Sequence, residues 1–164
     1  MKSGPAKLDL DKNLTFQRRE WQVQRVGWWI LTAFVVAAAL GLFGKGPLSH
    51  ARTGEPGSPL WIEYDRFVRV GTTSRVLIHS TAAAGSLHLR VNREFFEANR
   101  VEHFTPEPAS IHFGASEVDL RFDNQAGGAV TVILDVEPLQ SGRLPASITS
   151  SNGGSASFRQ FAYF

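Results

Sequence analysis

The sequence contains no cysteine, which excludes disulfide bonds, thiolate metal sites and cysteine nucleophiles. It also lacks the G-x-S-x-G, H-E-x-x-H, Walker and dinucleotide glycine motifs of common catalytic sites. Serine, histidine and aspartate are present, but nothing in their order or spacing selects a catalytic triad. We therefore expect a protein that is not an enzyme and carries no cofactor.

Charge is divided unevenly along the 164 residues. Residues 1–25 hold six basic and three acidic groups, whereas residues 60–164 hold nine arginines and eleven aspartates or glutamates. The C-terminal part is therefore slightly acidic in spite of the net charge of +2. This balance gives no reason to expect a nucleic-acid partner.

One long stretch has no charge at all: residues 26–44, VGWWILTAFVVAAALGLFG. A helix of this length nearly spans a hydrocarbon core of about 30 Å, so the stretch predicts a transmembrane helix in contact with lipid. The basic residues before it predict a cytoplasmic N-terminal segment, 1–25, and Trp28 and Trp29 are placed to anchor that membrane interface. A cleaved signal peptide is the alternative, but the apolar run exceeds the usual 7–15 residues of such a peptide.

Small residues recur every fourth position within the predicted span. Ala33, Ala37 and Gly41 would lie on one helix face, where a second helix could approach closely. We therefore expect this face to pack against a membrane partner, although a lone anchor in lipid tolerates such a stripe too.

Residues 45–59, rich in glycine, proline and serine, predict an extended linker. From Leu60 to the C-terminus, short alternating apolar runs are separated by turn signals. This pattern predicts an all-β domain at 60–164, an immunoglobulin-like antiparallel β-sandwich of about 7–9 short strands. The segment 93–99, REFFEAN, predicts one helical turn.

Two hairpins are expected from the alternation. The first joins residues 74–80 to 86–92 through a turn at 82–85, and the second pairs 117–123 with 129–137. In both, one face becomes apolar and the other mostly polar. The predicted core consists of Ile62, Tyr64, Val76, Ile78, Leu87, Leu89, Val91, Val118, Leu120, Phe122, Val130, Val132, Leu134 and Val136.

The first hairpin would place His79 directly opposite His88, with Cβ atoms about 5 Å apart. Two imidazoles at that distance could bind Cu or Zn if a further ligand came from elsewhere. The alternative is that both are ordinary exposed histidines on a polar sheet face.

The C-terminal segment is aromatic on both faces of its predicted strand. Phe158 and Phe164 alternate with Phe161 and Tyr163. Such a strand is expected to be buried in its own domain or against a partner. We therefore consider Phe161, Tyr163 and Phe164 candidate partner contacts.

Four segments carry a resemblance: GLFGKGPLSHA, WIEYDRFVRVG, VILDVEPLQSGRLPASI and FRQFAYF. In these segments the chain resembles a loose group of uncharacterised small bacterial single-span membrane proteins. The resemblance implies an inner-membrane protein with a periplasmic β domain and brings no active site with it. The layout also looks like that of the oxidase copper-delivery proteins, whose cysteine pair is missing here.

These observations lead to one principal hypothesis. We expect a non-catalytic accessory subunit, anchored in the bacterial inner membrane, whose periplasmic sandwich docks on a larger integral membrane protein or complex. A periplasmic Cu- or Zn-binding domain using His79 and His88 is the alternative.

Overall fold

The computed structural model describes residues 10–40, 46, 48–82, 85–125 and 127–164. The chain divides into two compact units, Met1–Ala39 and Leu40–Phe164. The first unit contains a single described helix, and the second contains the β-strands and one short helix.

Helix α1 runs without interruption from Leu10 to Ala39. Its sequence contains no proline that would interrupt it. At its one glycine, Gly27, an added Cβ would meet no atom within 4 Å. Among the described residues, no helix is both long and apolar enough to cross a membrane. The last part of the predicted span, residues 41–44, lies outside the described residues.

The second unit consists of eleven strands and a helix of six residues. The strands are β1 (His50–Thr53), β2 (Leu60–Asp65), β3 (Phe67–Arg69), β4 (Ser74–Ala82), β5 (Gly85–Asn92), β6 (Asn99–Thr105), β7 (Ser110–Phe113), β8 (Glu117–Asn124), β9 (Gly128–Pro138), β10 (Gly142–Ser150) and β11 (Ser155–Tyr163). Helix α2 (Arg93–Ala98) lies between β5 and β6 and confirms the predicted helical turn.

The strands form two sheets. Sheet 1 has the order β1-β2-β4-β9-β6, and sheet 2 has the order β3-β11-β10-β5-β8-β7. All described pairs are antiparallel except β3 with β11, which is parallel. The all-β prediction is confirmed, but the prediction that every pair is antiparallel is wrong at this edge.

One apolar core joins the two sheets, because each central strand turns alternate side chains inward. Every residue of the predicted core is buried except Val130, which is half-buried. Helix α2 adds Phe95, which is 1% exposed and packs edge-on to Phe158 with ring centroids 6.4 Å apart. Burial of one such aromatic ring stabilises a fold by about 1.5–3 kcal/mol.

Both predicted hairpins are wrong. β4 pairs with β2 and β9 in sheet 1, whereas β5 pairs with β8 and β10 in sheet 2. β8 and β9 likewise belong to different sheets. The connections therefore cross from one sheet to the other, and the strands expected to lie side by side belong to opposite layers of the core.

The linker prediction is wrong over residues 50–53. These residues form β1 and pair with β2, from His50 with Asp65 to Thr53 with Ile62. The run 60–70 is interrupted at Arg66 and gives two strands, β2 and β3. These two differences add two strands, and the domain has eleven where about 7–9 were predicted.

Candidate interaction surface

His79 lies on the outer face of sheet 1, where its ring stacks on Trp61 with centroids 3.7 Å apart and planes 10° apart. Its Nδ1 shares a hydrogen bond of 3.0 Å with Thr131 Oγ1. Its Nε2 is buried and has no hydrogen-bond partner among the described residues. Burial lowers the pKa of His79 below 6.5; Glu63 opposes this effect and Arg52 adds to it.

His88 lies on the outer face of sheet 2, with Nδ1 3.4 Å from the Asp119 carboxylate. It is in register with Arg121, not with His79. Because the two histidines point away from opposite sides of a two-layer core about 10 Å thick, they cannot share one metal ion. The predicted His79–His88 pair is therefore wrong. Within the described ranges, no group of three or more His, Cys, Asp or Glu side chains is arranged to hold a metal.

The residues predicted to pack and anchor α1 are described in part. Trp28 and Trp29 are 63% and 68% exposed within their unit. Ala33 is exposed and Ala37 is half-buried, while Gly41 lies outside the described residues. The helix face that they were predicted to form therefore stays a prediction.

The aromatic C-terminus forms β11, an inner strand of sheet 2 that alternates between core and surface. Phe158 is 5% exposed and belongs to the core, whereas Phe161 is 47% exposed on the outer face. Tyr163 is half-buried on that same face, and Phe164 follows the strand and is exposed. The strand is therefore buried on one side and leaves aromatic side chains uncovered on the other.

Arginines accompany these aromatic residues. Phe161 is in register with Phe67 on β3 and with Arg143 on β10, so the three lie side by side across the outer face. Arg159 lies two residues before Phe161 on the same face, and Arg66 immediately precedes β3. We call this set, Arg66, Phe67, Arg143, Arg159 and Phe161, the arginine–aromatic face.

The arginines of this face differ from most others in the domain in their lack of an ion pair among the described residues. Within the part of the chain that the structure describes, the side chains of Arg66, Arg143 and Arg159 form no ion pair or hydrogen bond. Arginine side chains with five donors and a fixed charge are well suited to bind carboxylates. The face therefore presents unused donors to solvent.

Sheet 1 provides a direct contrast. Each arginine on its strands is paired across a strand with a carboxylate: Arg52 with Glu63 at 2.8 Å, Arg75 with Asp135 at 3.0 Å, and Arg100 with Glu137 at 3.3 Å. The arginines of sheet 1 are thus each paired with a carboxylate, and those of the arginine–aromatic face are not.

A groove of about 900 Å³ follows the arginine–aromatic face. All five residues of the face line it, and Glu94 of α2 is the one carboxylate among its lining residues. Its volume falls in the range of about 300–1,000 Å³ typical of sites that hold a small ligand or a short chain segment.

The sequence contained a signal for this face that the prediction did not use. In SFRQFAYF, the alternation that makes Phe161 and Tyr163 outward-facing also makes Arg159 outward-facing. Arg143 and Phe67 carry no such signal, because their proximity depends on which strands flank β11.

The chain was also compared with known proteins. It matches no protein-family model and no curated protein.

Proposed function

We propose that the chain is a non-catalytic accessory protein, anchored in a bacterial inner membrane by residues 26–44, whose β domain docks on a larger integral membrane protein. In this proposal residues 1–25 are cytoplasmic and the β domain is periplasmic. The observation that carries the docking step is the exposed arginine–aromatic face, because arginine and aromatic side chains are enriched at protein interfaces.

The anchoring step is supported by the sequence and by exposure along α1. Residues 26–44 carry no charge, and basic residues predominate before them. Large apolar side chains such as Ile30, Phe34 and Val35 are more than half exposed within their unit. A continuous apolar surface of this kind calls for lipid or a second protein.

We infer an immunoglobulin-like sandwich, because two sheets enclose one core and consecutive strands such as β4 and β5 cross between them. Sandwiches of this class provide a rigid scaffold that holds binding residues in place.

Purification from native membranes tests the proposal. The full chain, affinity-tagged and extracted in mild detergent, is expected to co-purify with one integral membrane protein in a fixed ratio, identified by mass spectrometry. A matched single-span protein with an unrelated outer domain controls for non-specific capture. A monodisperse monomer with no co-purifying membrane protein would refute the proposed function.

A further inference from the structure

We infer that the arginine–aromatic face binds an acidic segment of a protein partner, one that carries aromatic side chains among its carboxylates. The inference deepens the proposed function by naming the chemistry of the partner. Three features of the face favour such a segment: the order of its side chains, its unpaired arginines and the groove along it.

The order of the side chains follows from strand register. Phe67, Phe161 and Arg143 form one row across three strands. Arg159 occupies the next row of β11, opposite Pro145 on β10, so it is a diagonal neighbour of Arg143. Diagonal neighbours are about 7–8 Å apart, which is close enough for one extended acidic segment to reach both arginines.

The charge of the face favours an anion. Neighbouring guanidinium groups repel each other, and the described residues supply no ion pair to Arg66, Arg143 or Arg159. In sheet 1 of this same chain, strand arginines are satisfied by carboxylates at 2.8–3.3 Å. A partner that brings carboxylates to sheet 2 would satisfy its arginines in the same way, with each guanidinium donating two parallel N–H bonds to the two oxygens of a carboxylate.

The shape of the face favours a protein segment over a lipid surface. The arginines line a groove of about 900 Å³, and Phe67 is half-buried within its walls. A chain segment can lie along this open groove and stack aromatic rings on Phe67 and Phe161, contacts that the phosphate layer of a lipid surface does not offer.

A binding measurement with the full chain in non-ionic detergent tests the inference. The probe is a short fluorescent peptide that alternates glutamate with tyrosine, followed by anisotropy at low and physiological salt. The test variant is R66A/R143A/R159A, and the matched control is R52A/R75A/R100A, which removes the same charge from sheet 1. Circular dichroism verifies that both variants are folded.

Exposed ion pairs contribute about 0.2–1 kcal/mol each, or at the upper end roughly fivefold in affinity per pair. We therefore expect the sheet 2 triple variant to bind the peptide about 3- to 150-fold more weakly, and the sheet 1 variant to bind within about twofold of the native chain. Equal losses in the two variants, or no binding by the native chain, would overturn the inference. Binding to vesicles that contain phosphatidylglycerol, if it depends on these arginines and the peptide does not bind, would also overturn the inference, because that result assigns the face to lipid.

The same variants separate the two proposals. If a membrane protein co-purifies equally with the native chain and with R66A/R143A/R159A, the accessory function stands and the acidic-segment inference fails. If nothing co-purifies but the peptide binds through these arginines, the inference stands and the proposed docking on an integral membrane protein fails.

Discussion

Two glycines with nearly the same backbone conformation offer a direct test of where the folded domain begins. Gly54 has φ +86° and Gly153 has φ +85°. Replacing either with alanine imposes a left-handed conformation on a residue with a Cβ, at a cost of about 1–2 kcal/mol. The two sites differ in space: a Cβ on Gly153 meets nothing within 4 Å, whereas one on Gly54 lies 2.8 Å from the Leu60 carbonyl oxygen and 2.9 Å from Trp61 Cβ.

Because the first contact at Gly54 is with backbone, the strand must shift to accept alanine, which adds about 1–3 kcal/mol of overpacking. We therefore expect G153A to lower the free energy of unfolding by about 1–2 kcal/mol and G54A by about 2–5 kcal/mol. Urea denaturation of the full chain in mild detergent, followed by near-ultraviolet circular dichroism, measures both. Equal losses would refute the close contact at Gly54, and no loss in G54A would mean that Gly54 lies in an open tether, as the linker prediction had it.

Two further predictions concern acid sensitivity and strand order. Since burial lowers the pKa of His79 below 6.5, the unfolded chain binds more protons just below that pH, and the free energy of unfolding should fall as the pH drops through 6.5. H79Q should make this slope shallower, and an unchanged slope in urea titrations would contradict the assignment. In the cysteine-free chain, L77C/I133C should oxidise to an intramolecular disulfide, because Leu77 is in register with Ile133. L77C/R90C, the pair that the predicted hairpin would bring together, should stay reduced, and the reverse result on non-reducing gels would restore the hairpin.

Alternation predicted the interior of the domain well, and there is a physical reason. A strand turns every second side chain toward the core whichever strands flank it, so Val76, Ile78 and Leu89 are buried in a hairpin and in a cross-sheet connection alike. The alternation of apolar and polar residues is the same in both arrangements, so it does not distinguish them. The choice between them depends on how the whole sheet is assembled, which is why the core was predicted and the strand partners were not.

The candidate site was predictable to a smaller extent. Phe161 and Tyr163 were identified from the aromatic alternation of the last strand, and the structure places both on an outer face. The arginines that surround them come from distant segments, Arg66 before β3 and Arg143 on β10. Their grouping required the parallel pairing of β3 with β11, a contact that no local pattern encodes. The error at His79 and His88 has the same origin, because their expected proximity depended wholly on the hairpin register.

The parallel pairing of β3 with β11 also determines when, during synthesis of the chain, the binding face can form. β3 lies near the start of the domain, yet the strand that hydrogen-bonds to it is β11, the last strand in the sequence. The edge of sheet 2, and with it the groove, cannot form until synthesis has reached Tyr163. Contacts between such distant segments slow folding and leave strands unpaired in the meantime. If the domain is exported as it is synthesised, the earlier strands cross the membrane before this edge closes, so the binding face would be completed in the compartment where its partner is met.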